Sequence, residues 1–259
     1  MKALTESVQE LAKLLKQARY AVALTGAGVS TESGIPDFRS PQSGLWQQVD
    51  PFKVASIEGF RRDPESFYEF WSWRFAKLTE AKPNVIHMVL AELERKGLLK
   101  ALITQNIDNL HRRAGSKKIY EVHGNYTRGL CVECHKRYEI TALFEKVKQS
   151  KVPYCDDCYG LLKPDVVLFG ELLPSAFYES VAEVEKADLM LVLGTSLEVY
   201  PVAELIPQAQ RSGAKIAILN RETTPFDRVA NLVIHSQLGQ TMELLRKLIS
   251  GDFESRLGP

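Results

Sequence analysis

The sequence predicts an α/β fold, a Rossmann-like doubly wound parallel sheet carrying a second, smaller zinc-ribbon and helical lobe formed by insertions. Three observations carry that prediction. Short apolar runs alternate with amphipathic helical stretches along most of the chain, as buried parallel strands and their crossover helices do. Several runs stop at glycine-rich or polar turns, the first at Gly26-Ala27-Gly28. All four cysteines lie in two Cys-x-x-Cys pairs between 131 and 158, inside a segment that breaks the alternation.

Val8, Leu11, Leu15 and Ala18 recur at helical spacing, and Ser7 with Glu10 has the form of a capping box, so the chain opens on an amphipathic helix. The run 20–25 reads as a buried strand leading through a tight turn to a helix N-terminus. Glycines at 26 and 28 let the backbone approach a pyrophosphate. Thr31 stands where a dinucleotide fingerprint has its third glycine, which disfavours a dehydrogenase, and a plain strand-to-helix turn explains the motif equally well. Runs at 98–104, 166–169, 189–193 and 215–219 read as further parallel strands, with helices at 85–96 and 202–211. Gly194-Thr195-Ser196 and Asn220-Arg221-Glu222 follow two of these strands. Small hydroxyls suit phosphate oxygens, and Asn220 and Glu222 suit ribose hydroxyls, unless both turns are merely solvated loops.

The aromatic-rich segment 42–82 and the cysteine segment 125–162 interrupt this pattern. They read as a helical insertion and a zinc-ribbon insertion forming the small lobe, leaving a discontinuous Rossmann-like domain at 1–41, 83–124 and 163–259. Cys131, Cys134, Cys155 and Cys158 match a tetrahedral Zn²⁺ site. Four thiolates leave no open position for water, so one structural ion is expected, holding together a lobe too small to bury its own core. Arg128, His135, Lys136 and Arg137 give this ribbon some positive charge, offset by Glu133, Glu139, Asp156 and Asp157.

Composition narrows the function. The chain has 259 residues, 45% hydrophobic and 25% charged, the make-up of a globular protein with a substantial core. Thirty-three basic against 32 acidic residues leave a charge of +1, so no global field draws nucleic acid or an anionic membrane, and no direct nucleic-acid binding is expected. Charges at Lys2, Glu6, Glu10, Lys13 and Lys16 interrupt the N-terminal apolar residues, excluding a signal peptide, and no run reaches membrane-spanning length. Paired cysteines of this spacing fit a reducing compartment, and a cytoplasmic, monomeric protein is expected.

Taken in order, the motifs closely resemble the sirtuin family across nearly the whole chain. Gly26-Ala27-Gly28-Val29-Ser30, Ser33-Gly34-Ile35-Pro36-Asp37-Phe38-Arg39-Ser40 and Gly44-Leu45-Trp46 resemble its flexible cofactor-binding loop. Thr104-Gln105-Asn106-Ile107-Asp108-Asn109-Leu110-His111 resembles its nicotinamide-site motif, and His123-Gly124-Asn125 its catalytic histidine motif. The paired cysteines are similar to its zinc ribbon, and Pro164-Asp165-Val166-Val167-Leu168-Phe169-Gly170-Glu171 to its substrate-binding strand. Lys163 stands where the family commonly has arginine.

The resemblance implies an NAD-dependent protein deacetylase or deacylase. The acyl-lysine oxygen attacks the nicotinamide ribose, and nicotinamide, acyl-ADP-ribose and free lysine result. It implies His123 as general base, with Asn106 and Asp108 completing the catalytic set. Asp108 and Ile107 would hold the nicotinamide carboxamide, and Gln105 and Asn106 the ribose. Gly26, Ala27, Gly28, Thr31, Asp37, Phe38, Arg39, Gly194, Thr195, Ser196, Asn220, Glu222 and Leu238 would surround the rest of NAD. Val167, Phe169, Gly170 and Glu171 would receive the acylated lysine of a protein or peptide as an extended strand between the lobes.

Family members that prefer succinyl or malonyl groups carry a tyrosine and an arginine three residues apart, where this chain has Trp71 and Arg74. The indole has only an N–H donor, so half that signature is missing and acetyl-lysine is the expected substrate. The alternative is an aromatic helix face packed into the small lobe with Arg74 exposed. His87, His111 and His235 fall outside the catalytic motif and read as packed or surface residues. Two rival functions share the same residues: protein mono-ADP-ribosyl transfer, and a non-enzymatic NAD-binding zinc-ribbon adapter.

Overall fold

A computed structural model describes residues 2–37, 44, 46 and 49–254 of the chain. Helix α1 (Lys2–Gln17) starts earlier than the sequence suggests. Leu4 extends the apolar stripe of Val8, Leu11 and Leu15 back by one turn and packs on the core, so Ser7 lies inside the helix. Its hydroxyl donates to the Ala3 carbonyl at 3.1 Å rather than capping with Glu10.

Strand β1 (Ala21–Thr25) lies at the centre of a six-stranded parallel sheet with β2 (Ala101–Thr104), β3 (Ile119–Glu121), β7 (Leu189–Leu193), β8 (Lys215–Leu219) and β9 (Leu232–Ile234). Their order is β3-β2-β1-β7-β8-β9. The strand order therefore reverses between β1 and β7, and in an open α/β sheet ligands bind beyond the carboxyl ends of the strands at such a reversal. Helices cover both faces. Ala21 and Ala23 join the core under α1, α5 (Val85–Arg95) and α10 (Leu238–Glu254). Val22 and Leu24, alternating with them, join the core under α8 (Ser175–Lys186) and α9 (Leu205–Arg211). Burial on both faces is why the strands read as unbroken apolar runs.

A second, antiparallel sheet has the order β5-β4-β6, with β4 (Gly124–Cys131), β5 (Arg137–Glu139) and β6 (Leu162–Val166). The expected parallel strand at 166–169 is not formed. β6 ends at Val166 and pairs antiparallel with β4, while Phe169 makes only a bridge to Ser56. An apolar run carries no information about strand direction, and here it continues past the sheet edge. Helices α2 (Pro51–Ala55), α3 (Ile57–Arg62), α4 (Pro64–Glu80) and α7 (Ile140–Ser150) pack around this sheet. Phe60, Phe67, Tyr68, Trp71 and Phe75 form their core with Leu143 and Leu162. Several of these rings meet edge-to-face, Phe60 and Phe67 at 4.9 Å, as the quadrupoles of aromatic rings favour.

Candidate active site

One cavity of about 820 Å³ opens where the carboxyl ends of β1, β2, β7 and β8 face the antiparallel sheet. It brings together the turn residues Gly26, Ala27, Gly28, Thr31 and Asp37, and the β2 end Gln105, Asn106, Ile107 and Asp108. His123, Gly194, Thr195, Ser196, Asn220, Glu222 and Leu238 line it as well. So do Val167, Phe169, Gly170, Glu171, Trp71 and Arg74. Phe38 and Arg39 lie outside the described residues.

The three strand ends are stitched by backbone. Gly26 N donates to Leu193 O at 3.1 Å, Gly28 N to Gly194 O at 2.8 Å and Gly194 N to Leu219 O at 3.0 Å. A Cβ on Gly28 would sit 2.8 Å from Gly194 Cα, so both positions need glycine for the loops to touch. The expected α-helix does not follow this turn. Two single 3₁₀ turns, Ala27–Val29 and Thr31–Ser33, take its place, and Gly34 ends them at φ 82° with Pro36 just beyond.

Behind the turn lies a closed polar network. Ser30, 1% exposed, donates to Asp108 Oδ2 at 2.6 Å and accepts from Asn106 Nδ2 at 3.1 Å. Asn106 Nδ2 also reaches Gly26 O at 3.1 Å. The second Asp108 oxygen accepts from Leu110 N at 2.9 Å, the first turn of helix α6 (Leu110–Arg113). Burial raises the Asp108 pKa above the ordinary 3.8, while these hydrogen bonds act to lower it. In sequence Ser30 is only part of a loop; in the fold its hydroxyl sets the orientation of both motif side chains. The stretch 198–201 also lines the cavity, and its position just past the end of β7 is the available signal.

His123 lies between β3 and β4, where the chain passes from one sheet to the other. Gly124 makes this passage possible. It sits at φ 77°, and a Cβ there would come within 2.2 Å of Asp165 O. His123 Nδ1 is 3.1 Å from Gln105 O, and a carbonyl only accepts, so Nδ1 carries the hydrogen and Nε2 the lone pair of the neutral ring. Its own carbonyl accepts from Val167 N at 2.9 Å, tying the ring's position to the segment 167–171.

The other histidines are packed or at the surface. His87 and His111 are fully buried with ring centroids 4.7 Å apart. His87 closes a capping box with Asn84 at the start of α5, and His111 Nε2 lies 3.0 Å from Thr25 Oγ1. His235 pairs with Asp227 at 3.0 Å. Trp71 is buried and its indole donates to Val54 O. Arg74 is half-buried, not exposed as the packing alternative required. Its guanidinium lies 3.6 Å from the Phe70 centroid and 4.2 Å from that of Trp73, and Nη1 donates to Phe70 O. Its Nε is buried without a hydrogen-bond partner among the described residues, and burial lowers its pKa.

The four cysteines converge apart from the cavity, their Sγ atoms all within 4.8 Å of one another. Zn–S bonds of about 2.3 Å in a tetrahedron place sulfurs roughly 3.8 Å apart. The pairs Cys131–Cys158 at 3.5 Å and Cys134–Cys155 at 3.7 Å fit that spacing. Each knuckle turns through a left-handed residue directly after its second cysteine, His135 at φ 58° and Tyr159 at φ 58°. His135 is otherwise exposed.

A doubly wound sheet with a large cavity where its strand order reverses, and a four-cysteine knuckle pair beside a second sheet that could hold a metal ion, define a dinucleotide-binding α/β protein. The Sir2 family profile matches residues 26–201, and the chain belongs to the Sir2 family. It is 48% identical over 226 residues to the NAD-dependent protein deacetylase of Thermotoga maritima, covering 87% of this chain and 91% of that one. It is 46% identical over 242 residues to the NAD-dependent protein deacylase of Thermococcus kodakarensis, covering 92% and 94%. A solved Sir2 structure with a p53 peptide and NAD+ superposes at TM-score 0.87, with 44% identity over 95% of this chain and 99% of that one. Another, bound to a propionylated peptide, gives 0.85 with 44% identity over 95% and 98%.

Proposed function

We propose that the protein removes acetyl groups, and secondarily other acyl groups, from lysine side chains of proteins with consumption of NAD, giving nicotinamide, O-acyl-ADP-ribose and free lysine. The observation that carries this reading is that His123, the nucleotide turns and the segment 167–171 all line one shared cavity. Bound NAD supplies an electrophilic ribose carbon. The residues supply orientation and proton movement. Nε2 of the neutral His123 is set to accept a proton from a ribose hydroxyl. Asn106 and Gln105 position the ribose, the latter held by Thr195 Oγ1 at 2.9 Å. Asp108, fixed by Ser30, and the backbone of Ile107 hold the carboxamide. Asn220 and Glu222 take the adenosine ribose, and Gly26, Ala27, Gly28, Thr31, Gly194, Thr195, Ser196 and Leu238 enclose the rest. A neutral amide oxygen is a weak nucleophile, so fixing it against the ribose and excluding water is the main catalytic task.

The four cysteines hold one Zn²⁺ in a purely structural role. The division at 1–41, 83–124 and 163–259 against 42–82 and 125–162 belongs to the same reading, supported in outline by two separate sheets and a separate aromatic core, although β6 runs across the boundary at 163 and keeps residues 163–166 in the small sheet. So does a monomeric, cytoplasmic enzyme without nucleic-acid binding, the compartment supported by cysteines paired at metal-site spacing and the lack of nucleic-acid binding by the near-neutral charge. No described helix is long and apolar enough to cross a membrane.

Arg74 supports a second acyl class, because its side chain lines the cavity and a guanidinium suits a carboxylate-ended acyl chain. Mass spectrometry of acetyl-lysine and succinyl-lysine peptides, with and without NAD, tests the whole reading. NAD-dependent loss of acyl mass with release of nicotinamide is expected. Mass gained by protein side chains instead would support ADP-ribosyl transfer, and NAD binding without turnover would support an adapter.

A further inference from the structure

Lys163 takes no part in the chemistry above, yet it is 4% exposed, an unusual place for a lysine. Its Nζ donates to Val166 O at 2.6 Å and to Pro164 O at 3.3 Å, and lies 3.1 Å from Glu171 Oε2. That same carboxylate oxygen accepts from Leu168 N at 2.8 Å, and Glu171 N donates to Leu168 O at 3.0 Å. Two side chains eight positions apart thus close the segment between them into one hydrogen-bonded unit.

The need for such a unit follows from the sheet. β6 stops at Val166, and beyond it the backbone has scattered anchors: Val167 N to His123 O, Phe169 N to Ala55 O at 2.8 Å and Ile57 N to Phe169 O at 3.0 Å. Between these anchors, the Val166 carbonyl and the Leu168 amide receive side-chain partners in place of ladder partners. Without them two buried polar groups would be left to seek water, and the segment would lose its extended form. Val167 is bonded to the same His123 whose ring serves the ribose, so any drift of this segment changes the distance between acyl-lysine and base.

We propose that the buried Lys163 and the half-buried Glu171 form an ionic clamp that fixes the acyl-peptide-binding segment 167–170 in register with His123. The proposal rests on the deacylase reading. Lys163 is a positioning residue: it lies behind the wall that Val167, Phe169 and Glu171 present to the cavity. Its loss leaves the nucleotide turns, which sit on the other sheet, as they are. An arginine has enough donors to serve the same carbonyls and carboxylate; a methionine fills the space and serves none.

The test compares wild type with Lys163→Met and Lys163→Arg. Lys163→Met is expected to raise KM for an acetyl-lysine peptide by about tenfold or more, the scale of loss that follows from misplacing a reacting group. KM for NAD and zinc content stay unchanged, and Lys163→Arg recovers most of the peptide affinity. Amide hydrogen exchange without peptide is expected to speed up at Leu168 in Lys163→Met and not in Lys163→Arg. A folded Lys163→Met with wild-type peptide KM, or with wild-type exchange at Leu168, overturns the clamp. If that variant does not fold, Glu171→Gln makes the same comparison, since it keeps an acceptor but removes the charge: an unchanged peptide KM overturns the proposal. Absence of turnover in wild type would instead count against the deacylase reading, and the exchange measurement would still judge the clamp.

Discussion

His123 serves the site twice, through its ring and through its carbonyl, and these roles separate by substitution. In His123→Ala the carbonyl still accepts from Val167 N, so the peptide segment keeps its anchor while the base is gone. The expected result is a fall in kcat of about 10²- to 10⁴-fold with little change in peptide KM, read from steady-state kinetics. A matching rise in peptide KM would mean that the ring positions the segment as well. Arg74 asks for a different comparison. Its guanidinium stacks on Phe70 and Trp73, so Arg74→Met retains much of the apolar volume and removes the cation. Succinyl turnover should fall by about tenfold relative to acetyl turnover, the effect of losing one charge-assisted contact worth roughly 1.5 kcal/mol. Equal loss of both would make Arg74 a packing residue.

At the scale of elements, metal removal separates the two sheets. The antiparallel sheet has three strands, and one of them, β5, is three residues long; its cysteine end is closed by short turns around the four thiolates. Stoichiometric chelation is expected to unfold the region around β5 and residues 153–160, seen as fast amide exchange there, while β1, β7 and β8 stay protected. Unchanged exchange in the cysteine segment would dismiss a structural metal. The same contrast explains what was legible in advance. β1, β7 and β8, buried on both faces, advertise themselves as apolar runs, and the metal site is written in cysteine spacing alone. Strands β3 and β9, three residues each, are too short to show a period, and they form because a neighbouring strand offers its edge. The run at 166–169 looked like a strand because sequence reports burial, not pairing partner or direction. Ser30 and Lys163 were missed as organising residues for a related reason: each acts through hydrogen bonds to residues distant or irregular in backbone, which no periodicity encodes.

Across the whole molecule, buried titratable groups set how the fold responds to acid. His87 is held neutral by burial, its pKa pushed down to about 4 from an ordinary 6.5, and His111 lies well below 6.5 by burial and by its neighbour His87. Around them stand Asn84, Ser30, Thr25 and, through Ser30, Asp108, none placed to welcome a second positive charge. Because these histidines bind protons more readily in the unfolded chain, their contribution to stability is complete above pH 6.5 and is lost as pH falls toward 4. At about 1.4 kcal/mol per unit, His87 alone removes roughly 1.5–2 kcal/mol between pH 6.5 and 5, and His111 adds to the loss in the same direction. Glu183 acts in a lower window. Although burial raises its pKa, hydrogen bonds from Lys118, Tyr20 and Lys186 outweigh that and hold it at about 2 against an ordinary 4.5. Its contribution is present above pH 4.5 and disappears as pH falls toward 2, about 2 kcal/mol once the exposure of both lysines is allowed for. Urea unfolding at pH 7, 5 and 4 should therefore give a stability that declines first through the histidine window, and Glu183→Gln should be less stable than wild type at pH 7 and at pH 5 by the same amount. Metal loss in acid affects both proteins alike and cancels in that difference. A flat profile between pH 7 and 5 would mean that the two rings are solvated or protonated in the folded state, and with them the network that orients Asn106 and Asp108 would have to be drawn differently.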